Sequence, residues 1–329
     1  MCDYLRSTHK FFQSSEDNSD FLSQHNSLLN NRYRILKVIT TGKFSQAFLA
    51  VDNESPSEDQ SYLIKQFFAK PHAIRDREKV KELFHQESLL LALFSKHSQI
   101  PKFINSFEQD EQLYLVQEWI DGQSLEAELA QKGVFNEAEI RQLLRQLLPV
   151  LQFIHDHQVI HRDIKPTNVI RRRNNGQLVL VDFGAAKYAR NKILEKTGTL
   201  IGSLEYAAPE QVKGKAVFAS DLYSLGVTCL HLLTQMSPFD LYDCSEDAWI
   251  WRSCLPFPIS PSLEQILRKL LQKPIKQRYA SAAEVLADLN DLPKRILFPS
   301  KPSAKASTDD DDFETPYFGF SFQENLLAC

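Results

Sequence analysis

The octapeptide His161-Arg162-Asp163-Ile164-Lys165-Pro166-Thr167-Asn168 is followed, nineteen residues after its Asp163, by Asp182-Phe183-Gly184. Asp163 and Asn168 sit on a segment between a helical pattern and a hairpin pattern. The apolar run 178–181 leads straight into Asp182. A carboxylate, an amide and a second carboxylate can therefore converge on one edge of the hairpin. Phosphoryl transfer calls for such a set. One carboxylate orients an attacking hydroxyl and accepts its proton. The oxygens of the other carboxylate and of the amide suit Mg²⁺, a hard cation. A nearby cation offsets charge developing on the transferred group.

Upstream of this stretch, residues 33–39, 46–52 and 61–68 read as strands, with turn composition over 53–60. Residues 78–95 read as a helix with apolar Leu83, Leu90 and Leu93. Residues 113–120 form another strand, which ends at Asp121-Gly122. After that glycine the chain turns helical. Over 136–157, Ile140, Leu143, Leu144, Leu147, Leu148, Leu151 and Ile154 recur at the spacing of a buried helical stripe. Asn136 and Glu139 form a capping pair, and Pro149 predicts a kink. Two short strands flank the turn Asn174-Asn175-Gly176, and further helices are expected over 220–234, 262–272 and 281–289. Strands first and helices afterwards give an α+β chain of two lobes.

Residues from about 33 to 290 resemble a eukaryotic-type (Hanks-type) protein serine/threonine kinase, a family found also in bacteria. The segments Asp182-Phe183-Gly184-Ala185-Ala186-Lys187 and Tyr206-Ala207-Ala208-Pro209-Glu210-Gln211 are most similar to cyanobacterial members. The resemblance implies a bilobal protein-kinase-like fold with a small β-rich N-lobe and a larger helical C-lobe. It implies a kinase domain over 32–293 (N-lobe 32–117, hinge 118–122, C-lobe 123–293), an N-terminal extension over 1–31 and an acidic, aromatic tail over 294–329. It implies ATP and Mg²⁺ as cofactors, with Mn²⁺ as a substitute, and protein substrates that present Ser or Thr hydroxyls. Residue by residue, Lys65 would hold the nucleotide phosphates and pair with Glu87, with Glu82 as the rival partner. Gln117 would be the gatekeeper, and the backbone of Glu118-Trp119-Ile120 would hydrogen-bond adenine. Asp163 would be the base, Lys165 would contact the γ-phosphate, and Asn168 and Asp182 would ligate the metal. Ile39, Gly42 and Ala47 would contact the nucleotide from the loop side. His161 is read as structural. Glu210 would pair with Arg278, and Asp221 would brace the segment bearing Asp163. Arg162 beside Asp163 is the pattern of kinases switched by phosphorylation, with Thr197 and Thr199 as candidate autophosphorylation sites.

Two departures stand out. The family's loop G-x-G-x-x-G-x-V aligns with Thr40-Thr41-Gly42-Lys43-Phe44-Ser45-Gln46-Ala47, with Phe44 fixing the register. Only Gly42 survives, so looser nucleotide binding is expected, and a pseudokinase or scaffold is the alternative to an active kinase. Ala47 replaces the valine and leaves less apolar cover above adenine. The second departure is Gly202-Ser203 in place of a Gly-Thr pair; Ser203 keeps a hydroxyl that would contact Asp163 and Lys165. Small-molecule kinases share the Asp-Asn-Asp logic but usually lack the Lys165-Pro166 and Ala208-Pro209-Glu210 segments.

Bulk composition bounds the rest. The 329 residues hold 38 basic and 42 acidic side chains, a balance that gives no case for nucleic acid as a partner. The run Arg171-Arg172-Arg173 reads as a solvated strand end. No apolar stretch approaches a membrane span, no h-region of a signal peptide is seen, and the five cysteines form no C-x-x-C pair, so the cytoplasm is the expected location. Only 10 glycines are present, under half of what roughly 7% usage would give. The tail carries Asp309 to Asp312, read as solvated, and then Phe313, Tyr317, Phe318, Phe320 and Phe322, too apolar for a purely solvated end.

Overall fold

A computed structural model describes residues 28–42, 44–54, 60–68, 74–189 and 203–291. Thr197, Thr199 and the acidic and aromatic tail residues lie outside the described residues. Strands β1 (Tyr33–Thr41), β2 (Ser45–Asp52), β3 (Ser61–Phe67), β4 (Phe103–Gln109) and β5 (Gln112–Glu118) form one antiparallel sheet in the order β1-β2-β3-β5-β4. Helix α1 (Ile74–Phe94) lies between β3 and β4 in the chain. Period-two alternation sorts β3. Tyr62 and Ile64 join a small cluster with Leu29, Tyr33, Ala50, Tyr114 and Val116. Phe67 joins the main core with Phe84 and Leu90 of α1. Lys65, two residues before Phe67, therefore faces the α1 side of the sheet. Ala47 on β2 and Leu115 on β5 stand directly opposite it.

Leu29 is buried and bridges to Tyr33, and Arg32 makes a bidentate ion pair with Asp52. Leu29, within the stretch 1–31 read as an extension, thus contributes to the small N-lobe cluster. Strand β4 and helix α2 (Leu125–Lys132) had no counterpart among the expected elements. In β4 every residue but one is half-buried, so its text Phe103-Ile104-Asn105-Ser106-Phe107-Glu108-Gln109 shows no clean alternation. Helix α1 begins four residues earlier than expected.

After β5 the chain forms β6 (Gly122–Ser124), α2, and α3 (Glu137–Asp156). The Asn136/Glu139 capping box is present, and α3 continues past Pro149 as one helix. Then come β7 (Val159–Ile160), β8 (Val169–Arg172), β9 (Leu178–Leu180) and β10 (Lys187–Tyr188). Strands β6, β8 and β9 make a three-stranded sheet, and β7 pairs with β10. Helix α4 (Pro209–Val212) precedes α5 (Phe218–Thr234), whose buried residues lie on all its faces. A helix apolar all round belongs at the centre of a lobe; α6 (Pro261–Leu270) packs against it, and α7 (Ala282–Asn290) packs against α3 and α6. A β-hairpin, β11 (Tyr242–Asp243) with β12 (Ala248–Trp249), lies between α5 and α6. The result is a β-rich N-lobe and a helical C-lobe, the bilobal fold expected. No helix among the described residues is long and apolar enough to cross a membrane.

Candidate active site

The Lys65 ammonium lies 2.8 Å from Glu87 Oε2 and 2.9 Å from Asp182 Oδ1. Three residues far apart in the chain meet here because β3 and α1 face each other and β9 delivers Asp182 to the same place. Glu82, the rival, is exposed and, among the described residues, pairs only with Lys79. One ammonium faces two carboxylates, so the acids divide. Lys65 holds Asp182 down to about 2, against burial. Burial pushes Glu87 up to about 7, with Lys65 pulling the other way and Asp182 adding to the rise. Burial works against charge on Lys65 itself, but the two carboxylates outweigh it and raise its pKa. Gly184 packs tightly at this spot: a Cβ would stand 3.0 Å from Glu87 Oε2, 3.1 Å from Lys65 Nζ and 3.2 Å from Asp182 Oδ1, so these side-chain ends would have to shift for any larger residue. Asp182 has a positive φ of 65°, steadied by the Gly184 N–H donating to its Oδ1.

The second group forms on the stretch after β7. Asp163 Oδ2 accepts from Asn168 Nδ2 at 2.8 Å and pairs with Lys165 Nζ at 2.9 Å. Asn168 Nδ2 also donates to the Asp163 carbonyl. Lys165 donates to Ser203 Oγ at 2.7 Å. The expected contact between Ser203 and Asp163 exists, but the Ser203 backbone N–H makes it, at 2.9 Å, rather than the hydroxyl. The Val181 N–H donates to the Asn168 carbonyl, which sets Asn168 beside the strand end that carries Asp182. Asn168 Oδ1 and Asp182 Oδ2 are left without protein partners among the described residues, since the bonds of these side chains run through Nδ2 and Oδ1. Two free oxygens of this kind fit a hard divalent cation.

A buried frame holds this segment. Asp221 on α5 accepts the backbone N–H groups of His161 and Arg162, both at 2.8 Å, and His155 Nε2 lies 2.9 Å away. Burial alone would raise its pKa, but these bonds outweigh it and keep Asp221 below its ordinary value. His161 is fully buried with its ring edge-on to Phe183, and burial lowers its pKa, which suits the structural role expected. Arg162 donates through Nε to the Ala185 carbonyl at 2.6 Å. Arg278 pairs with Glu210 at 2.6 Å, as expected, and also donates to the Gln272, Ala219 and Lys273 carbonyls.

Between the lobes, Gln117 and Ile120 are buried, and Ala47 is buried opposite Lys65. Ile39, expected at the nucleotide, is 38% exposed at an irregularity of β1. The Gly42 N–H donates to the Ser45 carbonyl at 2.7 Å and closes the β1–β2 turn. Glu118 has its N–H on the Lys102 carbonyl at 2.9 Å. The arginine run departs from the solvated strand end expected. Arg171 pairs with Glu128, Arg172 with Glu118 and Arg173 with Asp121, and only Arg173 is well exposed. Opposite charges at 118 and 172 carry no sequence pattern that would link them; the pairing arises from the β6–β8 ladder.

A sheet-rich lobe on a helical lobe, with a lysine, two carboxylates, an aspartate and an asparagine gathered between them, is the arrangement of a protein kinase. The protein kinase domain family matches residues 33–289, and the chain belongs to that family. It is 37% identical over 273 residues to a protein of Synechocystis sp. named serine/threonine-protein kinase B, covering 80% of this chain and 47% of that protein. It is 36% identical over 268 residues to serine/threonine-protein kinase PknA of Nostoc sp., covering 80% and 47%. It is 40% identical over 280 residues to serine/threonine-protein kinase F of Synechocystis sp., covering 80% and 56%. The chain spans about half the length of these curated relatives.

Proposed function

We propose that this chain is an active serine/threonine protein kinase that transfers the γ-phosphate of ATP to a Ser or Thr hydroxyl of a protein. The observation that carries this reading is the complete charged set. Lys65 bridges Glu87 and Asp182, while Asp163, Lys165 and Asn168 form an unbroken chain beside it. In this reading Asp163 orients the acceptor hydroxyl and takes its proton. Lys165, already between Asp163 and Ser203, offsets charge on the transferred phosphoryl group. Lys65 binds the α- and β-phosphates and is oriented by Glu87. Adenine lies against Ala47 and bonds to the backbone of Glu118 and Ile120 below Gln117; Ile39 and Gly42 cover it from the loop. Asn168 Oδ1 and the Asp182 carboxylate would hold Mg²⁺, which when bound neutralises phosphate charge. Substrates are proteins, and Thr197 or Thr199 are the proposed autophosphorylation sites.

The test is transfer of ³²P from ATP to the chain itself or to a generic basic protein, with Asp163→Ala as control. Transfer that vanishes in Asp163→Ala supports the reading. Transfer that persists there points to a contaminating kinase. The second reading, a scaffold with weak nucleotide binding, is favoured by Thr40 and Ser45 in place of glycines. Absence of transfer together with absence of an ATP-induced thermal shift would establish it over the first.

A further inference from the structure

Residues 118–122, the link between the lobes, are tied at both ends to the same strand, β8. At the far end Gly122 pairs with Arg172 in the β6–β8 ladder. The approach there is so close that a Cβ on Gly122 would stand 2.1 Å from the Arg171 carbonyl oxygen. The Asp121 carbonyl also accepts the Arg173 N–H at 2.9 Å. At the near end, Arg172 Nη2 lies 2.9 Å from Glu118 Oε1, with the two side chains only 18% and 24% exposed. Glu118 has a second attachment. Its Oε2 accepts the Lys102 N–H at 3.2 Å, and its N–H donates to the Lys102 carbonyl at 2.9 Å. Lys102 immediately precedes β4. Glu118 is therefore a joint between the N-lobe sheet and the C-lobe hairpin strand that starts beside Asn168. The neighbouring arginines are engaged elsewhere, Arg171 with Glu128 and Arg173 with Asp121, so Arg172 alone of the three makes this crossing.

We propose that Arg172 is a positioning residue that, through Glu118, sets the spacing between the adenine-binding backbone and the Asn168–Asp182 edge. The proposal rests on the kinase reading. Without the ion pair, the near end of the link is held to the N-lobe sheet alone, by Lys102 and by the pairing of Glu118 with Tyr62 of β3. The N-lobe can then rock about the Gly122 contact, which no side-chain change at 172 removes. Arg172 touches neither nucleotide nor acceptor in this scheme, so its loss acts on the Michaelis constant for ATP and leaves the Asp163 group intact.

The experiment compares wild type, Arg172→Met, Arg172→Lys, Glu118→Gln and the Arg172→Met/Glu118→Gln double variant as full chains. Steady-state kinetics in ATP are measured together with hydrogen exchange of peptides over 112–124 in the absence of nucleotide. Arg172→Met should raise KM for ATP roughly three- to tenfold, the scale of one partly buried ion pair, with kcat within about twofold. Arg172→Lys, which keeps the cation, should recover most of the loss. The double variant should be no worse than the poorer single one, because both remove the same interaction. Amides 118–122 should exchange faster in Arg172→Met while those of α5 do not change. Wild-type KM and unchanged exchange in Arg172→Met would overturn the proposal while leaving the kinase reading standing. If wild type transfers no phosphate, the kinase reading falls, and the exchange data alone decide: unchanged protection over 118–122 overturns the joint, and faster exchange upholds it.

Discussion

Replacing Glu87 by Gln should change how stability depends on pH. In the folded protein Glu87 is displaced from its ordinary 4.5 to about 7, because it is buried and shares one ammonium with Asp182. The folded state thus holds a proton on Glu87 that the unfolded chain has released. A carboxyl group with a raised folded pKa gives its stabilisation fully below pH 4.5 and loses it as pH rises through about 7. At roughly 1.4 kcal/mol per pH unit, this window amounts to about 3 kcal/mol. Asp182, held near 2, titrates in a separate window: its contribution is present above its ordinary 3.8 and is lost as pH falls through about 2. Burial lowers the pKa of His97, His161 and His231, and these opposing titrations occur in both proteins. The difference between wild type and Glu87→Gln therefore isolates Glu87. Urea unfolding would be followed by tryptophan fluorescence without nucleotide or metal, at intervals from pH 5 to 8. Glu87→Gln should gain on wild type by about 2–3 kcal/mol across that range. A difference that stays flat with pH would refute the idea that Lys65 fails to neutralise both acids. Phosphate transfer by Glu87→Gln should fall even where its stability rises, since Lys65 then leans on Asp182 alone.

Arg278→Met leaves the partly buried Glu210 without its buried partner and should cost about 3–5 kcal/mol in urea unfolding; a loss below about 1 kcal/mol would put the pair with exposed ones. Gly122→Ala drives a Cβ into the Arg171 carbonyl and should destabilise by about 1–3 kcal/mol, the usual range for overpacking. A Gly122→Ala melting temperature equal to that of wild type would discard the close-approach argument. Thr40→Gly with Ser45→Gly should lower the apparent KM for ATP while lowering the melting temperature, because glycine in a strand costs roughly 0.5–1 kcal/mol per site. An unchanged KM would mean that the Thr40 and Ser45 Cβ atoms do not hinder the phosphates.

Much of the site was legible because residue type carries the chemistry. Asp163, Asn168 and Asp182 are acceptors at a spacing that a loop and a hairpin can close. Lys65 and Glu87 needed more than spacing, since a lysine on a strand and a glutamate on a helix are usually solvated, and it was the order of the later motifs that singled them out. Helix α3 was legible to its cap because its apolar stripe is long and Asn136 and Glu139 both lie at its start. Strand β4 was not, because a strand half-buried on both faces does not alternate. The arginine run misled for a related reason. Charge runs are usually solvated, yet the three-pair β6–β8 ladder brought Glu128, Glu118 and Asp121 each within reach of a different arginine. Which carboxylate meets which guanidinium is a property of strand register, and register is not written in either strand alone.

The scarcity of glycine takes on a definite meaning once contacts are known. Gly122 is required by close approach to a backbone carbonyl, and Gly184 packs tightly against the side-chain ends of the Lys65–Glu87–Asp182 group. Thr40 and Ser45 stand where glycines were expected, yet both lie in paired strand, Thr40 opposite Ala47 and Ser45 opposite Phe67, and neither has a positive φ. Their Cβ atoms therefore cost nothing in backbone strain. Any penalty must come from the nucleotide, when phosphates approach the turn that Gly42 closes on Ser45. The two kinds of position separate cleanly: substitution at Gly122 or Gly184 disturbs the fold of the site itself, whereas the residues at 40 and 45 act only on the affinity of a site already assembled. That separation is why an incomplete loop and a complete Lys65–Glu87–Asp182 group can coexist in one chain, and why the loop weakens the case for tight ATP binding without weakening the case for phosphoryl transfer.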